Sequence, residues 1–512
     1  MANLFDVCLE PRAASADVAV ETPHDGALTY AELTAAAGRM ANALVALGVS
    51  PGDRVAVQVE KSLANLVLYL ACLRAGAVFL PLNTAYTLPE LAYFVGDAEP
   101  RLVVCDPSLR DGVAVIGQGV GAHVETLDEA GQGSLAALAR EQPAEFSTVA
   151  RTDEDLAAIV YTSGTTGRSK GAMLSHGALA SNARTLVEAW RFTSRDVLIH
   201  ALPIYHVHGL FVALNVLLLA GGRLLFLPRF DAGQVLDLMP EATCLMGVPT
   251  FYTRLLKQPG LTPQAAAGMR LFVSGSAPLL AETHREWRAR TGHAILERYG
   301  MTETGMNVSN PYDGERVAGT VGLPLPGVQV RVADADTGRA LPAGEIGMIE
   351  VKGPNVFHGY WRMPERTASE FRADGFFITG DLGSFDSRGY LSIVGRGKDL
   401  VITGGLNVYP IEVEERIDAL PGVIESAVIG LPHADFGEAV TAVVATGAGS
   451  DLTERDVLRA LEADLAAFKR PKRVIFVEEL PRNTMGKVQK AALRMLHAGL
   501  YDPPGTAAKS TR

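Results

Sequence analysis

Short apolar runs that end in a glycine-bearing polar loop and lead into a helical pattern recur along most of this chain, and that recurrence narrows the folds open to it. LTYAELTAAAGRMANALVALG places Leu33, Met40, Leu44 and Leu47 at helical spacing, with Gly48 where a helix would stop. DRVAVQVE reads as a strand, SLANLVLYLACLRAG as a buried helix, and AVFLPLN and PRLVVCD as further strands. LAAIVYT, ATCLMGVP, MRLFVSG and HAILERYG continue the series. Alternation of this kind predicts parallel sheets covered by helices, with ligands collecting at the carboxyl ends of the strands. Residues 111–152 are rich in Gly and Ala, weakly patterned, and read as a surface excursion. After Gly319 short strands with frequent Gly and Pro suggest a small β-rich subdomain. Past GRGKDLVITGG the pattern is a compact α+β unit, with helices from Ile411 and over Thr453–Phe468 and a strand at RVIFVEEL. The expected fold is therefore α/β: a large N-terminal body over residues 1–396, and a small mobile C-terminal α+β domain over 397–512.

A chain of 512 residues is long enough for two or more packed domains. Its formal net charge of −11 argues against a general affinity for nucleic acid or an anionic membrane. Cys8, Cys72, Cys105 and Cys244 are scattered and form no CxxC pair, which fits a reducing compartment. The opening MANLFDVCLEPRA has no basic and apolar signal pattern, so a cytoplasmic location is expected. The apolar stretch Gly209–Ala220 is too short to span a bilayer and reads as a buried helix.

The segment richest in chemistry is YTSGTTGRSKG, residues 161–171. Its glycines let backbone N–H groups approach phosphate oxygens, and its hydroxyls and Lys170 add donors and charge. It is not a Walker A loop, because Lys170 follows Gly167 by three residues and is itself followed by Gly171. A flexible surface loop is the alternative, which the preceding strand and clustered hydroxyls disfavour.

YTSGTTGRSKG closely resembles the phosphate-binding signature of the acyl-adenylate-forming superfamily, with Ser169 in place of the usual Pro. LPIYHVHG, VSGSAPL, RYGMTET, TGDLG, GRGKDLVITGG and PRNTMGKVQK then resemble further superfamily segments in the same order. The resemblance implies ATP, Mg²⁺ and coenzyme A as cosubstrates and cofactor. It implies nucleotide binding by Thr162, Ser163, Gly164, Thr165, Thr166, Gly167 and Lys170; by Ser276, Ala277 and Pro278; by Arg298, Tyr299, Gly300, Met301 and Thr302; and by Asp381 and Arg396. Tyr299 offers a flat face for adenine, and Glu303 is a hard carboxylate suited to Mg²⁺. An isolated TGD would read as a turn, so the ribose role of Asp381 rests on the resemblance. By the same resemblance Lys487 is the catalytic lysine of adenylation, Lys398 the hinge, Gly404 and Gly405 part of a pantetheine tunnel, and His206 the gate of the acyl pocket. The run Lys469–Arg473 reads either as a coenzyme A phosphate contact or as a solvated face.

SGSAPLL…HREW, LERYGMTET and GKDLVITGG…NVYP are similar to the forms found in the malonyl-CoA synthetase group. That resemblance implies malonate, and methylmalonate, as the acid. A short dicarboxylate needs a second cation, and Arg suits it because its guanidinium binds carboxylate bidentately. Arg285 is the first candidate and Arg254 the second; taken singly, each reads equally as a surface salt-bridge partner. Val207 and Met306 are expected to shape the pocket wall. The alternatives are a ligase for another short- or medium-chain acid, or one loading a carrier protein. A lysine acetyltransferase acting on Lys487 is an expected protein partner, with no nucleic acid and no membrane.

Overall fold

The computed structural model describes residues 3–23, 26–162, 169–433, 435–447, 449–462, 464–483 and 486–501. By packing, the chain divides into two compact units, residues 1–330 with 351–377, and residues 331–350 with 378–512.

The first unit holds two largely parallel sheets. The smaller runs in the order His123–Thr126, Leu102–Cys105, Arg54–Gln58, Val78–Pro81, Leu156–Thr162 and Lys170–Ser175. All its pairings are parallel except the last, an antiparallel hairpin. Residues 111–152 are therefore no mere excursion: they contribute the helix Ser134–Arg140 and the edge strand His123–Thr126. That strand alternates too little to be legible, because an edge position needs only one buried face. The larger sheet has nine strands. Its middle runs Leu296–Met301, Leu271–Ser274, Cys244–Gly247, Val197–His200 and Arg223–Phe226, in parallel, with antiparallel pairs at both ends. Helices such as Leu63–Arg74, buried almost throughout, cover the sheets. Ser62 caps that helix by accepting from the Asn65 N–H.

The apolar run Gly209–Ala220 is helical and buried, as its composition requires, but its first part is a π-helix, His208–Leu214, that passes into the α-helix Asn215–Ala220. π-turns are rare and concentrate at functional sites.

The second unit combines a four-stranded sheet, Gln329–Ala333, Gly347–Lys352, Phe377–Phe385 and Leu391–Arg396, with a five-stranded one centred on Gly437–Thr446. The small β-rich region and the terminal α+β region thus pack as one unit. Helix Pro410–Asp418 covers it, and the helix expected over Thr453–Phe468 is shorter, Glu454–Ala460. The architecture is α/β, with a large sheet-based body and a smaller C-terminal region. Among the described residues no helix is long and apolar enough to cross a membrane.

Candidate active site

In the first unit the hairpin Leu156–Thr162/Lys170–Ser175 brings Thr162 opposite Lys170 and so closes the base of the Gly/Ser/Thr loop. Ser163, Gly164, Thr165, Thr166 and Gly167 lie outside the described residues. Thr162 Oγ1 is 3.5 Å from Glu303 Oε1. Lys170 is buried, pairs with Glu370 at 3.1 Å and sits 4.0 Å over the ring of Tyr360. The Tyr360 hydroxyl lies 2.7 Å from Glu370 and 3.1 Å from Glu303. Thr162, Lys170 and Glu303 are thereby joined through Tyr360 and Glu370, two residues the motif reading missed. The signal for them is slight: a Gly-Tyr-Trp run whose backbone pairs with the strand carrying Lys170. Among the described residues no group of three or more His, Cys, Asp or Glu could hold a metal ion. Glu303, with two hydroxyls near it, is an all-oxygen donor set with one carboxylate. That suits Mg²⁺ held mainly by a nucleotide's phosphates.

Strand Leu296–Met301 folds back on Gly305–Ser309 around Gly300, where a Cβ would come within 2.1 Å of the Gly305 carbonyl oxygen. Met301 and Thr302 are half-buried at this bend, and Met306 is anchored on both backbone groups by Asn182. Val207, Phe211, Asn182 and Thr302 line a small cavity of about 10 Å³. Tyr299 and Arg298, successive strand residues, point to opposite faces.

Arg298 is the outlier. It is 4% exposed, and its Nε and Nη2 have no hydrogen-bond partner among the described residues. Burial pushes its guanidinium down to about 9. It lies against Gly275, where a Cβ would fall 2.4 Å from its Cζ, so only glycine leaves it room. His208, equally buried, lies within reach of its charge: the imidazole is held well below the usual range by burial and by Arg298. His208 Nδ1 is 3.3 Å from Ser276 Oγ, and its Nε2 has no partner among the described residues. Ser276 takes φ +71°, a left-handed conformation that a serine adopts at some cost. Ala277 and Pro278 follow toward the surface. His206, half-buried, accepts the His208 N–H on its Nδ1. Arg285 and Arg254 are both exposed, on helices Ala281–Thr291 and Pro249–Leu256. Neither guanidinium is buried among the described residues, so each stands on the surface side of its helix.

In the second unit Asp381 and Arg396 face each other across a strand pair, with Arg396 Nε 3.0 Å from Asp381 Oδ1. Lys487 follows Gly486 (φ +73°) in a turn tied by Asn483, whose side chain accepts the Lys487 N–H at 2.9 Å. Burial, then the Arg396 charge, pushes the Lys487 amine down to about 8, while Asp381 and Asp399 act the other way. Three segments distant in sequence thus share one electrostatic neighbourhood. Lys398, exposed in the turn Gly397–Asp399, belongs to it, and burial also lowers its amine. Gly404 and Gly405 link Val401–Thr403 to Leu406–Val408 with φ of +57° and +78°. That is a hairpin turn only glycine-like residues accept at both positions. The run Lys469–Arg473 is tied into its own unit: Lys469 pairs with Glu412 and Arg473 with Glu454.

Residues 10–361 match the family model of the AMP-binding enzyme, and residues 412–487 that of the AMP-binding enzyme C-terminal domain. The chain belongs to the AMP-binding enzyme family. The crystal structure of ATP-bound MatB from Rhodopseudomonas palustris is 65% identical, with a TM-score of 0.96, covering 98% of this chain and 99% of that one. Among curated AMP-binding relatives, the mitochondrial malonate–CoA ligase ACSF3 of Mus musculus is 36% identical over 489 residues, 88% of this chain and 83% of that protein. A feruloyl-CoA synthase of an Amycolatopsis species is 37% identical over 489 residues, covering 94% and 97%. The curated relatives named for malonate and for ferulate stand equally near, and the MatB structure is much more similar to this chain than either.

Proposed function

We propose that this AMP-binding enzyme joins malonate to coenzyme A at the expense of ATP, releasing AMP and pyrophosphate through a malonyl-adenylate. The observation that carries the acid is Arg298, a buried guanidinium with two unpartnered donors and no carboxylate partner among the described residues. A cation left so is costly unless an anion meets it, and a carboxylate binds it in two parallel hydrogen bonds. The distal carboxylate of malonate supplies that anion, with His208 and Ser276 beside it. Arg298 thereby moves from the nucleotide to the acid. The MatB likeness and the malonate–CoA ligase relatives support the same acid.

In the first half-reaction an oxygen of the other carboxylate attacks the α-phosphorus of ATP, and the bond to the β-phosphate oxygen breaks. Lys170 and the backbone of residues 163–167 would hold phosphate oxygens, Thr302 the α-phosphate, Tyr299 adenine, and Asp381 with Arg396 the ribose. Glu303 would hold Mg²⁺, which when bound neutralises phosphate charge. The Lys487 ammonium offsets charge that builds during transfer. In the second half-reaction the thiol sulfur attacks the acyl carbon, the bond to AMP oxygen breaks, and the thiol proton leaves to solvent. Lys398 is the pivot at which residues 397–512 turn between the steps. His206 gates the pocket, Val207 and Met306 form its wall, and Gly404 and Gly405 lie along the thiol's path. Methylmalonate, one methyl larger, is a second substrate. Acetylation of Lys487 by a lysine acetyltransferase would remove its charge and stop the first step. A cytoplasmic setting fits the four buried, unpaired cysteines.

Pyrophosphate release across malonate, methylmalonate, acetate, propionate and ferulate tests the reading. Malonate is expected to lead and acetate to be poor; a preference for ferulate or acetate overturns it.

A further inference from the structure

Two chain segments that lie 139 residues apart meet behind the acid pocket. Lys61 follows the strand Arg54–Gln58, which has Val78–Pro81 on one side and Leu102–Cys105 on the other. His200 ends the strand Val197–His200, which lies between Arg223–Phe226 and Cys244–Gly247. In each sheet that strand is where the order reverses, the place where α/β sheets open a crevice. Here the two reversal points are bonded together. Lys61 Nζ is 2.9 Å from His200 Nδ1 and donates to the His200 carbonyl at 2.8 Å. Both side chains are buried, and Lys61 has no ion pair among the described residues. Its charge support is the face of Phe226 at 4.3 Å.

Hydrogen-bond accounting fixes the imidazole. His200 Nε2 is 2.9 Å from the Gly209 carbonyl oxygen. A carbonyl only accepts, so Nε2 carries the proton. Burial disfavours imidazolium, so Nδ1 is a lone pair and accepts from the Lys61 amine. Gly209 belongs to the π-helix His208–Leu214 and packs hard on the preceding turn: a Cβ on it would lie 2.1 Å from the Pro203 carbonyl oxygen. The carbonyl that His200 grips is thus one residue from His208, which lies within reach of the Arg298 charge.

We propose that Lys61 and His200 are positioning residues of the acid pocket: Lys61, donating to Nδ1, reinforces the tautomer that the Gly209 carbonyl requires, and His200 pins the π-turn that aims His208 and Val207. The inference rests on the acid-pocket reading above. Without Lys61, the Nε2–H tautomer is held by Gly209 alone, while Nδ1 and the His200 carbonyl both lose their donor; a share of Nδ1–H imidazole, with its Nε2 lone pair against the Gly209 oxygen, then loosens the turn. The nucleotide contacts, on other elements, are untouched.

Three variants and one spectrum test this. In the wild-type protein, ¹⁵N shifts of His200 are expected to report the Nε2–H tautomer, and in Lys61→Met a mixture. Lys61→Met and His200→Phe are each expected to raise KM for malonate about tenfold, roughly the worth of one buried hydrogen bond, with KM for ATP unchanged. His200→Gln, whose amide still donates to Gly209, is expected to retain most of the wild-type affinity. Lys61→Met removes a desolvated amine but leaves two buried acceptors without a donor, so it is the unchanged KM for ATP that separates lost positioning from a lost fold. An Nδ1–H tautomer in the wild type, an unchanged malonate KM in Lys61→Met, or ATP and malonate KM rising together overturns the proposal. Should malonate give no pyrophosphate at all, the functional reading fails, and the tautomer measurement, which needs no substrate, still decides whether Lys61 reinforces the tautomer of His200.

Discussion

The two polar clusters of this protein handle charge in opposite ways. Around Arg298 the first unit buries a cation with unpartnered donors and sets a neutral histidine against it. Around Lys487 the second unit mixes signs: Asp381 with Arg396, and Asp399 with Arg494 at 2.6 Å, all beside the lysine. A buried uncompensated cation demands one anion and tolerates no substitute, which suits recognition. A balanced and partly exposed cluster holds no such debt, so its lysine suits a group needed in one step and withdrawn in the next. Under the proposed function, specificity would rest with the first cluster and step control with the second.

The sharpest way to break this contrast is Arg298→Ala. Losing one partner of a buried pair costs roughly 3–5 kcal/mol, so kcat/KM for malonate is expected to fall by about two to four orders of magnitude. Propionate, which never met the guanidinium, should change little; equal loss for both acids would remove Arg298 from the pocket.

Lys487→Ala is expected to slow pyrophosphate release by about 10²–10³-fold, the usual worth of a transition-state charge contact. The same variant should still turn supplied malonyl-adenylate and coenzyme A into thioester. Loss of both half-reactions together would mean that the cluster does not separate the steps.

Lys398→Pro is expected to spare adenylation and to slow thioester formation about tenfold or more, since Pro fixes φ at the proposed pivot. Stopped-flow measurement of each half-reaction checks this, and normal overall turnover would count against rotation there.

The pH profile sharpens the comparison further. With its amine lowered to about 8, Lys487 is charged below that pH and neutral above it. Adenylation should therefore decline as pH rises through about 8, and the decline should vanish in Lys487→Ala. The smallest effect is expected from Arg285→Ala and Arg254→Ala. Both side chains are exposed, so malonate kinetics should stay within about twofold.

Much of the fold was legible because its strands are short apolar runs punctuated by glycine, a local signal. His123–Thr126 was not, since an edge strand with exposed and half-buried positions carries little pattern. The same divide runs through the site. Thr162, Lys170 and Glu303 sit in motifs whose residue types point to phosphate and metal, whereas Asp381 and Lys487 stand out only through the family resemblance. Tyr360 and Glu370 could not, because their importance comes from touching Lys170 and Glu303, far away in sequence. Among the arginines, Arg285 was attractive for its position after VSGSAPL, yet helix phase puts it in water.

By itself the sequence determined the alternation of strands and helices, the glycines that permit tight bends, and the inventory of groups able to meet phosphate and metal. Those are local properties of residue type and spacing. Only the tertiary structure decided which cation is denied water, that His208 lies within reach of its charge, and that Lys61 reaches His200. Desolvation and hydrogen-bond partnership depend on what lies on every side of a group, and for Arg298 and His200 those neighbours come from strands and turns far apart in the chain.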